Sequence, residues 1–148
     1  MNSTASEFLL AYAVDLLRRS QGAETLPFSP GSSGDWSPIE HQCHTNVEEW
    51  CARNPHHSLV RGWLYFSFCG VLPYVRFSAH SVVKLADGSL RDITPSKASM
   101  PYPFIPARES SVEYDRWVRG NEIVHLDFYV NERRVIPFGA RRESESAG

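Results

Sequence analysis

Three residues of this sequence have side chains and an order suited to thiol chemistry: Cys43, His80 and Asp92. A cysteine is nucleophilic when a nearby base holds it as thiolate, and that base works best when a third group orients it. The histidine follows the cysteine by 37 residues, and the aspartate follows the histidine by 12. The sequence therefore supplies a candidate nucleophile, base and orienting carboxylate.

The turn between His80 and Asp92 decides whether their side chains meet. The two residues lie in strand-like segments joined by Ala86-Asp87-Gly88. A three-residue loop with its glycine in the left-handed conformation pairs Leu85 with Ser89, which makes the histidine and the aspartate diagonal neighbours on one face. A two-residue loop would send the aspartate to the opposite face. The thiol hypothesis therefore predicts the three-residue turn.

Each of these residues also has an ordinary structural explanation. Free cysteine is among the most buried residue types, and Cys43 shares a helical stripe with Val47, Trp50 and Cys51. Taken singly, the histidine fits a hydrogen-bonded strand position, and the aspartate fits a surface acid beside a turn. Cys51 and Cys69 have no partners at a useful spacing, so we expect both to be core residues.

A metal site is the competing chemistry. Histidines and cysteines crowd one short stretch of the chain: His41, Cys43, His44, Cys51, His56 and His57. Zinc sites usually show regular pairs such as Cys-x2-Cys, and neighbouring candidates in this stretch face different ways on a helix. We therefore predict no metal and no other cofactor. His125, which shares an alternating strand with Asp127, is expected to be a packed strand residue.

Two helical patterns precede the strands. A capping box that starts at Thr4 opens an amphipathic helix that runs to about Ser20. Residues 21–37 are rich in Gly, Ser and Pro, which predicts a long irregular loop. A second helical pattern extends from about Pro38 to Arg53, because residues 37–40 resemble a capping box with proline at the first helical position.

The rest of the sequence alternates in the manner of strands, and the predicted fold class is α+β, with N-terminal helices packed on a small antiparallel sheet. A proline-rich connection over residues 95–106 leads to a short helical candidate, Ser111 to Arg119. We expect a single domain over residues 1–148, with a core from about 5 to 138 and a frayed tail at 139–148. The strand candidates are Leu59 to Phe68, Tyr74 to Leu85, Ser89 to Thr94, Glu122 to Val130 and Arg133 to Phe138.

Composition narrows the functional classes. The chain has 148 residues, 42% of them hydrophobic, which is enough to build a core. Fifteen basic against seventeen acidic residues give a net charge of −2, which argues against a nucleic-acid binder. Three cysteines cannot all pair, which favours a reducing, cytoplasmic location. The apolar stretch at 8–14 is far shorter than the roughly 20 residues of a membrane span, so no membrane partner is expected.

The segment from Glu40 to Pro95 resembles the transglutaminase-like branch of the papain-like cysteine protease superfamily. The resemblance lies in the helical cysteine, in Arg61-Gly62-Trp63, in His80-Ser81-Val82-Val83 and in a Gly turn followed by Asp92 and a proline. It implies a papain-like, transglutaminase-like core in which the cysteine is the nucleophile, the histidine the base and the aspartate its orienting group.

One feature of that family bears on the start of the second helix. The family's cysteine begins its helix, where the dipole and the free amides favour a thiolate and an oxyanion. Either residues 37–40 form a separate turn, or Cys43 lies one turn inside the helix. The second oxyanion donor has only positional candidates, Gln42 and Trp36.

Two functional hypotheses follow. The first is a thiol-dependent hydrolase or acyltransferase that acts on an amide bond of a peptide or protein through Cys43, His80 and Asp92. The loop at 21–37 and the segment at 95–106 are its candidate cleft walls, because they flank the triad in sequence. The second is a non-catalytic α+β binding module, a degenerate member of the same superfamily, which a misplaced helix start would favour.

Overall fold

The computed structural model of the protein describes residues 3–29, 33–96 and 101–139. The described elements are, in chain order, α1 (Ser3–Ser20), β1 (Glu24–Thr25), α2 (Cys43–Arg53), β2 (Ser58–Phe66), β3 (Val75–Lys84), β4 (Leu90–Arg91), β5 (Pro103–Pro106), α3 (Ser111–Tyr114), β6 (Ile123–Tyr129) and β7 (Arg134–Gly139). A short 3₁₀ turn covers Phe68–Gly70, and a π-helical turn at Asp115–Arg119 continues α3.

The strands form one antiparallel sheet in the order β1-β5-β2-β3-β6-β7, with β4 paired to β3. The centre of the sheet is the long pair β2 and β3, which runs from Ser58 opposite Lys84 to Phe66 opposite Arg76. Three α-helices accompany the seven strands in the described part of the chain. The predicted α+β class with an antiparallel sheet is therefore confirmed.

Both long helices cover the same face of the sheet. Leu9, Ala13 and Leu16 of α1 pack in one buried cluster with Trp63 and Phe77. Alternate residues of a strand point to the same side, so the register of β2 and β3 places these two aromatic residues on one face. In each strand, the side chains of the intervening residues point to the opposite face.

The second helix packs on the same face, closer to the hairpin of β3 and β4. Val47 of α2 forms a second buried cluster with Val83 of β3 and with Ile93. Both Val47 and Val83 are fully buried. This contact fixes α2 along β3 and brings the first residues of the helix towards the middle of that strand.

The predicted boundaries are wrong in a few places. The proline-rich connection contains a strand, β5, which lies between β1 and β2. Its prolines stand at the two ends of the strand, so the central pair Phe104 and Ile105 is free to pair and to become buried. Thr4 already lies inside α1 and does not cap it. Gly139 belongs to β7 rather than to the tail, and residues 140–148 lie outside the described part.

Across residues 3–29, 33–96 and 101–139, no helix combines the length and the apolar character needed to cross a membrane.

Candidate active site

Cys43 is the first residue of α2. The sequence prediction that this helix starts near Pro38 is therefore wrong. A separate turn does precede the helix, but it covers residues 39–42, where the Gln42 amide donates to the Ile39 carbonyl, rather than residues 37–40. Gln42 is the N-cap residue, and its carbonyl oxygen accepts the first helical hydrogen bond, from the Asn46 amide. The first-turn amides have no acceptor within the helix, and the positive end of the helix dipole lies beside the cysteine.

Asn46 explains why the helix does not begin earlier. Its buried side chain accepts a hydrogen bond from the Ile39 amide at 2.9 Å and donates one to the Ile39 carbonyl at 2.7 Å. The same amide group donates to Thr94 Oγ1 at 3.0 Å. Because both polar groups of Ile39 are bound to a side chain, the backbone before Gln42 does not continue the helical ladder.

The thiol of Cys43 lies at an opening in the sheet. On one edge of β3, β6 pairs with Val75–Ser78 and β4 pairs with Val83 and Lys84. Between them, the carbonyl oxygen of Ala79 lies 3.9 Å from Cys43 Sγ, within reach of a weak thiol hydrogen bond. Both His44 and His80 interact with the sulfur and lower the pKa of the thiol. The cysteine remains partly exposed.

His80 and Asp92 meet as the three-residue turn requires. Val83 pairs with Arg91, Lys84 pairs with Leu90, and the Leu85 amide donates to the Ser89 carbonyl, which is the predicted register. Gly88 has a φ of +90°, a conformation that glycine adopts without strain. Nε2 of His80 lies 2.8 Å from Oδ2 of Asp92, so Nδ1 is the ring nitrogen left for the thiol.

Asp92 is fixed by its backbone as well as by its side chain. Its amide donates to the Pro27 carbonyl at 3.0 Å, and its carbonyl accepts from the Ser29 amide at 2.9 Å. Its second carboxylate oxygen, Oδ1, accepts from the Thr94 amide at 3.1 Å. The loop that follows α1 therefore holds the carboxylate in place against His80.

The electrostatics favour a thiolate and an imidazolium at neutral pH. Burial would raise the pKa of Cys43, but hydrogen-bonding and electrostatic interactions with His44 and His80 lower it to about 5. Burial would lower the pKa of His80, but its hydrogen bonds to Asp92 and Cys43 and the negative charge on both raise it to about 10. The proton of the pair therefore resides on the histidine, which is the state in which the sulfur is nucleophilic.

A second histidine approaches the sulfur from the helix itself. His44 Nδ1 lies 2.6 Å from Ser81 Oγ, and Arg61 Nη1 donates to the same hydroxyl oxygen at 3.1 Å. Arg61 is 4% exposed and lies 3.0 Å from Asp115 and 3.4 Å from Glu48, both at ion-pair distance. The charged guanidinium is thus compensated by two carboxylates.

Gly62, from the motif Arg61-Gly62-Trp63, makes room beside the catalytic histidine candidate. It pairs with His80 across β2 and β3. A Cβ atom at this position would lie 2.3 Å from the Ile105 carbonyl oxygen and 2.7 Å from the Phe104 ring. The Phe104 ring in turn lies 6.3 Å, centroid to centroid, from His80. Glycine at position 62 therefore permits the close packing of β5 against this part of the sheet.

Phe104 also lines a surface cavity of about 530 Å³. Both predicted cleft walls contribute to it: Gly22, Glu24 and Leu26 come from the first loop, and Phe104 with Ile105 and Pro106 from the second segment. Leu90, two residues before Asp92, and Arg18 with Arg19 also line the cavity. The lining includes none of the three triad residues, and Phe104 is the lining residue whose ring lies near that of His80.

The remaining sequence candidates occupy other environments. The side chain of Gln42 is exposed next to Cys43, whereas Trp36 packs against the Val47 cluster beneath the Arg53 guanidinium. His57 accepts a hydrogen bond from Trp50, and His41 is 88% exposed beside Glu40. Within the described residues, no group of three or more His, Cys, Asp and Glu side chains is placed to hold a metal ion.

The two remaining cysteines and the strand histidine also differ from one another. Cys51 is half-buried, and burial raises the pKa of its thiol. Cys69 is exposed, so the expectation that it is a core residue is wrong. His125 is buried in β6, as expected for a packed strand residue, and lies 4.0 Å from Asp127.

Sequence reasoning missed the contacts of His44. The segment Cys43-His44 drew attention only as a metal candidate, and Arg61 and Ser81 only as parts of longer motifs. The sequence does show a histidine next to the cysteine at the start of a helix, which could have marked His44 as a neighbour of the thiol. Its hydrogen-bond partner Ser81 lies 37 residues away, so that contact could not be predicted from local sequence.

Comparison with protein-family models, with curated proteins and with solved structures found no match.

Proposed function

We propose that this protein is a thiol-dependent hydrolase or acyltransferase that acts on an amide bond of a peptide or protein. The observation that carries the proposal is the arrangement of Cys43, which begins a helix, beside His80, whose other ring nitrogen lies 2.8 Å from Asp92. A nucleophile, a base and an orienting carboxylate in mutual contact are what acyl transfer through a thiol requires.

In the first half of the reaction, Cys43 Sγ attacks the carbonyl carbon of the amide, and the carbonyl π electrons move to oxygen. The Cys43 backbone amide, at the free end of α2, is positioned to donate a hydrogen bond to that oxyanion. When the tetrahedral intermediate collapses, the C–N bond breaks and Nδ1 of His80 gives its proton to the leaving nitrogen. An acyl thioester and a free amine result.

In the second half, water or another amine attacks the thioester while His80 accepts its proton. The C–S bond breaks, and its electron pair returns to the sulfur as thiolate. Asp92 stays ionised throughout and keeps Nε2 as the protonated nitrogen. Water gives hydrolysis, and an amine gives transfer; the same three residues serve both outcomes.

The resemblance to the transglutaminase-like branch supports this proposal, because its roles fall on the three residues that meet. We also propose that the fold is the papain-like, transglutaminase-like core that this resemblance implies. The start of α2 at Cys43 also removes the main argument for a non-catalytic module, which was a cysteine one turn inside its helix. A thiol nucleophile works only while it is reduced, which suits the predicted cytoplasmic location.

The test is the rate at which iodoacetamide alkylates Cys43 as a function of pH, followed by mass spectrometry of the peptide that contains it. We expect a midpoint near the low pKa of the thiol in the parent protein and a midpoint at least about two pH units higher in His80→Ala. His57→Ala is the matched control, since His57 is bonded to Trp50.

Cys51 supplies an internal reference in the same helix, because burial raises the pKa of its thiol. It should react slowly at pH 6, where Cys43 reacts fast. A Cys43 that reacts only after unfolding, or with the same pH profile in His80→Ala as in the parent, would contradict the catalytic proposal and favour the binding module.

A further inference from the structure

We propose that His44 is a second catalytic imidazole, whose Nε2–H donates a hydrogen bond to the Cys43 sulfur and whose tautomer is set by Ser81 and Arg61. The inference rests on the proposed thiol chemistry and adds a residue to it. Its basis is the geometry around one hydroxyl group, Ser81 Oγ, which lies between a buried guanidinium and the imidazole.

The hydroxyl of Ser81 determines which nitrogen of His44 carries the proton. Arg61 can only donate, so the Ser81 oxygen accepts from it. The hydroxyl then has one proton to give, and His44 Nδ1 lies 2.6 Å away. If Nδ1 accepts that proton, the neutral ring holds its own proton on Nε2. That nitrogen is the one left to meet the sulfur.

The ring is also held from its sides. His44 makes an edge contact with Tyr114, with ring centroids 5.9 Å apart, and the hydroxyl of that buried tyrosine donates to the Gly62 carbonyl. Ser81 is fully buried in β3. The imidazole is therefore oriented by two elements besides its own helix.

The two histidines are held by opposite chemistry, and this separates their roles. His80 faces the carboxylate of Asp92, which stabilises an imidazolium and suits a residue that carries protons. His44 faces a hydroxyl that accepts from a guanidinium, which orients the ring as a hydrogen-bond donor that does not give up its proton. The described groups that face the thiol are these two imidazoles, with Asp92 behind one and Arg61 behind the other, and the Tyr114 hydroxyl.

The donor works beside His80 in the second half of the reaction. After acylation, His80 is neutral until it accepts the proton of the attacking water or amine. When the C–S bond then breaks, its electron pair moves to sulfur, and the hydrogen bond from His44 stabilises that charge together with the His80 imidazolium, with no proton transferred from His44. His44 therefore lowers the barrier to release of the acyl group.

Three substitutions at position 44 test the tautomer. Glutamine places an amide nitrogen about where Nε2 lies, and asparagine places one about where Nδ1 lies. We expect His44→Ala and His44→Asn to raise the midpoint of Cys43 alkylation by about one pH unit, and His44→Gln to retain most of the parent value. Ser81→Ala, which removes the hydroxyl that selects the tautomer, should give a smaller upward shift.

The outcomes separate this inference from the proposed function. If His80→Ala raises the midpoint and His44→Ala does not, the second imidazole is wrong and the triad stands. If neither does, the thiol chemistry itself is wrong. Rescue by asparagine instead of glutamine would assign the donor to Nδ1 and overturn the role of Ser81. Urea unfolding of each variant establishes that the profile is measured on folded protein.

Discussion

Nε2 of His80 lies 2.8 Å from Oδ2 of Asp92; His80 lies in β3 and Asp92 directly follows β4, and a turn of three residues joins the two strands. The contact exists because the turn at Ala86–Gly88 sets a register in which the two side chains share one face. Because Nε2 is bound to Asp92, Nδ1 is the ring nitrogen available to Cys43. One turn conformation thus determines whether the cysteine has an oriented base.

Asp92 contributes a negative charge and a hydrogen bond that orients the His80 ring, and substitutions at this position should separate the two effects. In Asp92→Asn the amide oxygen still accepts from Nε2, so the ring stays oriented, but we expect the pKa of His80 to fall by about one unit or more because the negative charge is lost. Asp92→Ala should also lose the orientation and slow Cys43 alkylation at pH 6 by about a further tenfold. NMR titration of the His80 ring measures the first effect.

The matched control is Asp87→Asn, which removes the same charge from the exposed turn of the same hairpin. It should leave the pKa of His80 unchanged. A His80 that titrates identically in Asp92→Asn and in the parent would show that the carboxylate does not stabilise the imidazolium.

The turn itself should be sensitive to substitution of its glycine. Gly88 has a φ of +90°, and nothing lies within 4 Å of a Cβ atom added there. Gly88→Ala should therefore lose about 1–2 kcal/mol of unfolding free energy through backbone strain alone. Urea unfolding measures it. Gly22→Ala is the control, because that position is equally open and has no positive φ; equal stability of the two variants would contradict the argument.

Local signals predicted the elements that local chemistry decides. The glycine of the turn, flanked by two strand-like segments, predicted a hairpin at this point and left two loop lengths open; the structure has the three-residue loop, which pairs Leu85 with Ser89 and lets His80 meet Asp92. The ends of α1 at Ser20 and of α2 at Arg53 also agree with the sequence pattern. In each case the determining residues lie within a few positions of the feature.

Features that depend on distant partners were not predictable in the same way. The start of α2 is decided by Asn46, which binds Ile39 and, 48 residues away, Thr94. The capping-box pattern at residues 37–40 predicts a helix that begins there, and no local feature of the sequence predicts the later start at Cys43. The strand β5 lies between prolines and forms because β1 and β2 offer it partners. Tertiary hydrogen bonds override propensity in both places.

Asn46 should therefore be a large contributor to stability. Asn46→Ala removes the three hydrogen bonds to Ile39 and Thr94 and leaves two backbone groups and a hydroxyl without that partner, so we expect a loss of about 2–4 kcal/mol of unfolding free energy. It should also slow alkylation of Cys43 at pH 6, because the helix start is no longer fixed. Thr45→Ala, at the exposed neighbouring position, is the control and should change neither quantity.

The coupled pair of Cys43 and His80 predicts how stability depends on pH. The pKa of the thiol is lowered from 9.0 to about 5, so its contribution is complete above pH 9 and is lost as the pH falls towards 5. The pKa of the imidazole is raised from 6.5 to about 10, so its contribution is complete below pH 6.5 and is lost as the pH rises towards 10.

Between pH 6.5 and 9 the two slopes cancel, since the folded pair and the unfolded pair each hold one proton. The difference in unfolding free energy between the parent and the double variant Cys43→Ala/His80→Ala should therefore be flat over that range. It should decline on both sides, with a slope of at most about 1.4 kcal/mol per pH unit. Urea unfolding from pH 5 to pH 10 measures this, and a difference that rises steadily through neutral pH would mean that the thiolate–imidazolium pair does not form in the folded protein.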